Sequence, residues 1–98
     1  MKVVYSDLKN KRVFISGGGS GIGATIVEHF CEQKSEVYFI DIDLKSSKKL
    51  IKKIKKKGYR VPKFIECNIL DVKKLQNIIK DIISKKGAIH CLINSAAN

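Results

Sequence analysis

The feature that most constrains the fold of this chain is a glycine-rich turn that directly follows a short apolar run. Residues 13–15 are Val, Phe and Ile, which is typical of a strand buried on both faces. The glycines that follow predict an abrupt end to this strand and a helix that begins near Gly21. The first N–H groups of a helix have no partner within it and lie at the positive end of its dipole. The segment therefore predicts a strand, a turn and a helix that together bind a phosphate group.

The spacing of the glycines is more informative than their number. Three residues separate Gly17 from Gly21, and one residue separates Gly21 from Gly23. The hydroxyl residue Ser16 precedes them. The general fingerprint G-x-G-x-x-G/A also fits from Gly19, but this register starts too far from the end of the strand. A Cβ at Gly17 or Gly23 would obstruct the turn or the approach of a phosphate to the helix. A glycine-rich turn without a ligand is the alternative interpretation.

The rest of the chain repeats the alternation of strands and helices. The apolar run at residues 37–40 and the segments at residues 63–67 and 91–94 predict three further strands. Apolar residues at helical spacing predict helices from Gly21 to about Lys34, from about Lys45 to Lys57, and from the expected N-cap Asp71 to just before Gly87. Short connections between strands and helices favour the α/β class and a parallel sheet. We expect the N-terminal half of a Rossmann-type doubly wound sheet, with four strands and three helices.

The pattern of the first helix also assigns its faces. Ile22, Ile26, Val27 and Phe30 recur at helical spacing, which predicts that they lie against the sheet, whereas Glu28, Glu32 and Gln33 are expected to face water.

The chain is strongly basic, with a formal charge of +11 and no Asp or Glu between Lys45 and Arg60. In this segment Leu50, Ile51 and Ile54 form an apolar stripe, while lysines occupy the remaining circumference. The pattern predicts a lysine-coated surface helix. A basic RNA-binding domain is an alternative, but the aromatic and arginine positions of a base-reading surface are nearly missing. We therefore expect no specific nucleic-acid partner.

Length and composition argue against several other classes of protein. The 98 residues allow at most one small domain. No apolar run approaches the roughly 20 residues of a membrane span, and the N-terminal residues lack the apolar core of a signal peptide. A cytoplasmic protein without a membrane partner is expected. Cys31, Cys67 and Cys91 are odd in number and widely spaced, which argues against a disulfide framework or a metal site.

An acidic residue follows the second predicted strand at an informative distance from the glycines. Asp41 lies 18 positions after Gly23, close to the offset at which a carboxylate meets the adenosine ribose in dinucleotide-binding folds. A carboxylate accepts hydrogen bonds from both ribose hydroxyls and repels a 2′-phosphate. We therefore expect NAD as the cofactor. NADP is the alternative, and Lys45 is the nearest residue that would meet its phosphate. A loop carboxylate without a ligand is the weaker interpretation of Asp41.

Together these segments resemble the motifs of the short-chain dehydrogenase/reductase family. Residues 16–23 resemble the family's Thr-Gly-x-x-x-Gly-x-Gly, with Ser16 for Thr, and Asn68 lies where the family has Asp. Residues 92–97 resemble Leu-Val-Asn-Asn-Ala-Gly, with Ser95 for the second Asn and Ala97 for Gly. Within the family, the glycine motif and residues 94–98 look most like bacterial sugar 1-dehydrogenases such as xylose dehydrogenase.

The resemblance implies an NAD-dependent oxidoreductase that transfers a hydride between nicotinamide and an alcohol or carbonyl substrate. It implies that these residues contact the cofactor: Gly17, Ser20, Gly21, Ile22 and Gly23 at the pyrophosphate, Asp41 and Ile42 at the adenosine, Asn68 and Ile69 at the adenine, and Asn94 and Ala96 near the nicotinamide ribose.

The family's catalytic Ser, Tyr and Lys lie after the fourth strand, so we expect no catalytic residue in this chain. Residues 1–98 are then an incomplete dinucleotide-binding domain, whose full-length parent the resemblance implies to be a homo-oligomer. One formal Tyr-x-x-x-Lys match runs from Tyr59 to Lys63, but Gly58 and Pro62 place it outside a helix, so we reject it. The alternative to a fragment of an enzyme is a truncated, non-catalytic NAD-binding module or a decaying gene product.

Overall fold

A computed structural model of the protein describes residues 6–95. After a short 3-10 turn (Ser6–Leu8), the elements are β1 (Arg12–Ser16), α1 (Gly21–Glu32), β2 (Glu36–Asp41), α2 (Leu44–Lys56), β3 (Lys63–Glu66), α3 (Val72–Lys86) and β4 (Cys91–Asn94). These elements confirm the predicted order of strands and helices. Helix α1 ends two residues earlier than predicted, because Lys34 has a φ of 66° that is incompatible with a right-handed helix.

The four strands form one parallel sheet in the order β3-β2-β1-β4. In the centre of the sheet Ile15 pairs with Phe39 on one side and with Ile93 on the other. The chain leaves β1 towards β2 and β3, and then returns to the opposite side of β1 at β4. This order confirms the predicted Rossmann-type doubly wound sheet. It also creates a switch point between β1 and β4, where the carboxyl ends of the strands leave a crevice.

The core lies on both faces of the sheet, because successive strand residues point to opposite sides. One buried cluster packs beneath α1 and α2, and a smaller one packs beneath α3. The first contains Val13, Ile15, Val27, Cys31, Val37, Phe39, Leu50 and Ile54, and the second contains Phe14, Tyr38, Ile40, Cys67 and Ile82.

Two of the residues that the sequence assigned to the first helix do not lie where its pattern predicts. Val27 is buried and Ile26 and Phe30 are partly buried, as expected, but Ile22 is 79% exposed. Ile22 lies in the first turn of the helix, beside the glycine turn and past the end of the strands. Gln33, the residue directly after α1, is buried instead of facing water.

Helix α2 has the predicted lysine-coated surface. Leu50 and Ile54 are buried beneath it, and its lysine side chains are exposed. Glu28 of α1 forms ion pairs with Lys53 and Lys57. The side-chain hydrogen bond from Lys57 holds the pKa of Glu28 below its ordinary value. The apolar stripe of α2 is therefore part of the core, and ion pairs connect its charged surface to α1.

The formal Tyr-x-x-x-Lys match is not on a helix, which confirms its rejection. Tyr59 follows the end of α2, packs against the first core cluster and donates a hydrogen bond from its hydroxyl to Glu32 at 2.9 Å. Lys63 is the first residue of β3. The two side chains therefore do not share the face of a helical turn.

An ion-pair cluster lies at the amino end of the central strands. The Glu36 carboxylate accepts hydrogen bonds from Arg12 and from the Tyr38 hydroxyl, and it lies 3.6 Å from the guanidinium of Arg60. Burial acts to raise the pKa of Glu36, but the hydrogen bonds and charges around it outweigh burial and lower this pKa below 4.5. The ionised form is therefore bound more tightly in the folded state.

This lowered pKa predicts how Glu36 contributes to stability as pH changes. A carboxylate with a lowered pKa in the folded state stabilises the fold above its unfolded pKa, and this stabilisation is lost as pH falls through the folded pKa. Glu36→Gln should lower the free energy of unfolding at pH 7 by about 1 kcal/mol. It should also flatten the decline in stability below pH 4.5. Urea unfolding at a series of pH values measures both effects, and parallel pH profiles for the two proteins would contradict the assignment.

The two-sided core predicts unequal effects of the same substitution on two helices. Ile54 of α2 is completely buried, whereas Ile83 of α3 is 47% exposed. Ile54→Ala should lower the free energy of unfolding by about 2–5 kcal/mol because it leaves a cavity. Ile83→Ala should change it by about 0.5 kcal/mol. Urea unfolding measures both values, and equal losses would contradict the difference in burial between Ile54 and Ile83.

Candidate functional site

A cleft with a volume of about 460 Å³ opens at the carboxyl ends of the strands. Nine of the eleven predicted site residues line it: Gly17, Ser20, Gly21, Ile22, Gly23, Asp41, Ile42, Asn68 and Ile69. Three residues that the sequence did not assign to the site, Ile40, Cys67 and Ser95, complete the lining. The fold thus brings segments from four separate parts of the chain to one edge of the sheet.

The glycine turn forms one wall of the cleft and depends on the close approach of two glycines. Gly17 has a φ of 71°, which favours glycine, and its N–H donates to the Ile40 carbonyl at 2.9 Å. A Cβ on Gly23 would overlap the Gly17 carbonyl oxygen and lie 2.6 Å from the Ser95 hydroxyl oxygen. No side chain larger than hydrogen fits at Gly23 unless the backbone of the turn moves. The predicted obstruction at Gly23 is therefore confirmed.

The N-terminus of α1 opens into this cleft. Ser20 is the N-cap residue, but its side chain makes no capping hydrogen bond, and the first turn of the helix contains no acidic residue. The first N–H groups of the helix are therefore not neutralised by a carboxylate of their own helix. Because Ser20, Gly21, Ile22 and Gly23 all line the cleft, this arrangement fits an anionic group such as a pyrophosphate.

The Asp41 carboxylate is fixed against the glycine turn. Its Oδ2 accepts a hydrogen bond from the Gly19 N–H at 2.9 Å, and its Oδ1 accepts one from the Asp43 N–H at 2.8 Å. Each oxygen keeps a further acceptor position, because a carboxylate has about four lone-pair sites. Asp41 is half-buried in the cleft wall and can accept hydrogen bonds from two neighbouring hydroxyl groups of a ligand.

The rest of the lining combines an amide with apolar side chains. The Asn68 Oδ1 accepts a hydrogen bond from the Leu70 N–H at 2.9 Å, which leaves one lone pair of that oxygen for a ligand. Ile22 and Ile42 are 79% and 64% exposed although they are large and apolar. Burial raises the pKa of the Cys67 thiol, which therefore stays protonated at neutral pH. These residues suit a flat ring with polar edges.

Strand β4 contributes differently from what the sequence predicted. Asn94 does not line the cleft, and its Oδ1 accepts a hydrogen bond from the Ser16 hydroxyl at 2.8 Å. Ser95 does line the cleft, and its hydroxyl donates to the Ser16 carbonyl at 2.6 Å and lies 3.2 Å from the Gly17 carbonyl. Ser95 was recognisable only as the residue that replaces Asn in the strand-four motif. Ala96 lies outside the described residues, so its role and that of Asn94 stay predictions.

Three further findings concern metal ligands, cysteines and membrane-spanning helices. Among residues 6–95, no three His, Cys, Asp or Glu side chains are grouped so that they could hold a metal ion. All three cysteines are free thiols. In the same range no helix is both long enough and apolar enough to cross a membrane.

The close approach of Gly23 predicts the result of adding one methyl group. Gly23→Ala should lower the free energy of unfolding by about 3 kcal/mol, because the new Cβ forces the backbone of the turn to move. The matched control is Gly58→Ala, where φ is 77° and no atom lies near the new Cβ, so only backbone strain of about 1–2 kcal/mol is expected. Urea unfolding measures the difference. A Gly23→Ala variant as stable as the control would exclude the close approach.

Comparison with known proteins agrees with this geometry. The short chain dehydrogenase family model matches residues 11–98. A probable galactose dehydrogenase of Rhizobium meliloti is 36% identical over 93 residues, which cover 95% of this chain and 36% of that protein. The D-xylose 1-dehydrogenase of Caulobacter vibrioides is 34% identical over 96 residues, or 97% of this chain and 36% of that protein. The chain thus spans about a third of the length of these relatives.

Solved structures show the same fold. A β-ketoacyl-[ACP] reductase of Bacteroides thetaiotaomicron superposes with a TM-score of 0.79 at 31% identity and covers 89% of this chain and 42% of that one. The ligand-free aldohexose dehydrogenase of Thermoplasma acidophilum superposes with a TM-score of 0.75 at 28% identity, over 95% of this chain and 32% of that one.

Proposed function

The chain belongs to the short-chain dehydrogenase family, and from this premise we propose that it is the cofactor-binding part of an NAD-dependent oxidoreductase. The observation that supports this proposal best is one cleft that combines the open N-terminus of α1 with the fixed carboxylate of Asp41. The first group suits a pyrophosphate, and the second suits the hydroxyls of the adjoining ribose. The helix N-terminus and Asp41 therefore match two adjoining groups of a dinucleotide, the pyrophosphate and the ribose.

In the proposed complex the residues of this chain bind and orient the cofactor. The first N–H groups of α1 and the glycine turn hold the pyrophosphate. Asp41 accepts hydrogen bonds from the adenosine ribose, and Ile42, Asn68 and Ile69 surround the adenine. When bound, a nicotinamide would donate a hydride to the substrate carbon or accept one from it. Asn94 and Ala96 are proposed to lie on the nicotinamide side.

The preference for NAD over NADP rests on charge. A 2′-phosphate placed about 4 Å from the Asp41 carboxylate would be repelled by roughly 4 kcal/mol per unit of charge at an effective dielectric constant near 20. Since 1.4 kcal/mol corresponds to about tenfold in affinity, the repulsion amounts to roughly two or three decades. Lys45 is the nearest cation on the chain that would offset it, and its side chain is exposed to solvent. We therefore propose NAD as the cofactor.

The substrate is proposed to be an alcohol or carbonyl compound, and a sugar is the first candidate because the similar proteins named above include galactose and xylose dehydrogenases. The catalytic Ser, Tyr and Lys are proposed to lie in a part of the protein beyond this chain. The cytoplasmic location and the homo-oligomeric state of the full-length protein stay predictions.

The proposed cofactor preference can be tested with NADH and NADPH. The chain should bind NADH at least about 100-fold more tightly than NADPH, as measured by calorimetry. Asp41→Asn keeps the shape of the side chain but removes its charge, so the preference should fall by about tenfold or more.

Asp81→Asn is the matched control, because Asp81 lies on α3 and its ion pair is with Lys85 of the same helix. This control should bind both dinucleotides as the original chain does. Equal affinity of the original chain for NADH and NADPH, or a preference for NADPH, would refute the proposed role of Asp41.

A further inference from the structure

A buried hydroxyl group lies behind the glycine turn and has no assigned role. Ser47 of α2 is completely buried, and its Oγ has no hydrogen-bond partner among the described residues. Buried polar groups without a partner are rare in folded proteins and costly to keep. Alanine would fill this position without that cost, so the Ser47 hydroxyl is not needed for the stability of the helix.

The Ser47 hydroxyl lies beside Gly19 of the glycine turn. A Cβ built on Gly19 would overlap the Ser47 Oγ and lie 2.9 Å from the Asp41 Oδ2. The Ser47 hydroxyl and the Asp41 carboxylate thus occupy the space that a side chain at position 19 would need. Unlike Gly17 and Gly21, Gly19 does not have a positive φ, so the backbone conformation does not require glycine there.

Without a side chain at position 19, Asp41 can fold back onto the turn. Its Oδ2 accepts the Gly19 N–H, and its Oδ1 is held by the Asp43 N–H at the start of α2. A methyl group on residue 19 would clash with two side-chain atoms, the Ser47 Oγ and the Asp41 Oδ2. Ser47 is enclosed in the core, whereas Asp41 lies in the open wall of the cleft and can rotate away. Asp41 is therefore the group that moves.

We propose that Gly19 is a positioning residue for cofactor selection, and that Ser47 is the wall that makes glycine necessary there. With no side chain at position 19, the Asp41 carboxylate stays in the place where it rejects a 2′-phosphate. This inference rests on the proposed preference for NAD. It differs from that proposal in making the selectivity depend on Gly19, which is not among the residues proposed to contact the ribose.

Three variants test the inference: Gly19→Ala, Ser47→Ala and the double variant. The readout is the ratio of the NADH and NADPH affinities measured by calorimetry, together with the free energy of unfolding in urea. A loss of stability alone weakens both dinucleotides equally and leaves the ratio unchanged. Displacement of Asp41 changes the ratio.

Gly19→Ala should lower the preference for NADH by about tenfold, because its methyl group displaces the carboxylate. Ser47→Ala should keep the preference within about twofold, and it should not lower the stability, because it removes a hydroxyl without a partner. The double variant should recover most of the preference lost in Gly19→Ala, because the space vacated by the Ser47 Oγ accepts the new methyl group. Gly58→Ala is the remote glycine control and should not change the ratio.

The results separate this inference from the proposal on which it rests. If the original chain does not prefer NADH, the proposed function fails, and this inference fails with it. If the original chain prefers NADH but Gly19→Ala keeps that preference, only the inference is overturned. If Gly19→Ala does not fold, a folded double variant that prefers NADH supports the inference. A double variant that is also unfolded, or that folds without recovering the preference, contradicts it.

Discussion

The close approach of Gly23 to the Gly17 carbonyl is the contact on which the rest of the site depends. It allows α1 to begin directly behind the end of β1, at a separation that any Cβ on Gly23 would prevent. The N-terminus of the helix therefore faces the cleft at the carboxyl edge of the sheet. The Ser95 hydroxyl also lies close to the position of a Gly23 Cβ, and its hydrogen bond to the Ser16 carbonyl joins the end of β4 to the same turn. The turn thus links β1, α1 and β4 at one point.

The parallel sheet brings the carboxyl ends of β2 and β3 to the edge where that turn lies. Strand β2 ends at Asp41 beside the turn, because β2 pairs with β1 and the two strands end at the same edge. The hydrogen bond from the Gly19 N–H then joins the carboxylate to the glycine turn, so that it lines the same cleft as the start of α1. Strand β3 brings the segment around Asn68 to the same edge. A parallel sheet with a switch point thus brings together groups that are far apart in the sequence.

The sequence was sufficient to predict the order of elements, because each strand and helix has its own periodicity and is bounded by a residue with a defined role. Asp71, for example, accepts the Lys74 N–H as an N-cap, and Gly58 has the positive φ expected after a helix. Motif spacing was also sufficient to find most of the cleft lining. Ile22 was misassigned because periodicity indicates a helix face but not where the sheet beneath that face ends.

Contacts between distant segments were not predictable from the sequence. The engagement of Asn94 by the Ser16 hydroxyl depends on the register between β1 and β4, which no local pattern specifies. The same holds for Ser47, whose hydroxyl reaches Gly19 only because α2 packs beside the glycine turn. The sequence of a lysine-rich helix does not indicate which of its serines packs against the glycine turn. Such residues become visible only when the packing of the elements is known.

We propose that a dinucleotide binds where the glycine turn, the start of α1 and Asp41 meet. An NMR titration of the ¹⁵N-labelled chain with NAD tests this binding site. NAD should change the chemical shifts of the backbone amides of Gly21, Ile22 and Gly23 and of those around Asp41, and it should change none on the lysine-coated surface of α2. Shift changes confined to that surface, or no change at the glycine turn with saturating NAD, would contradict the proposed site.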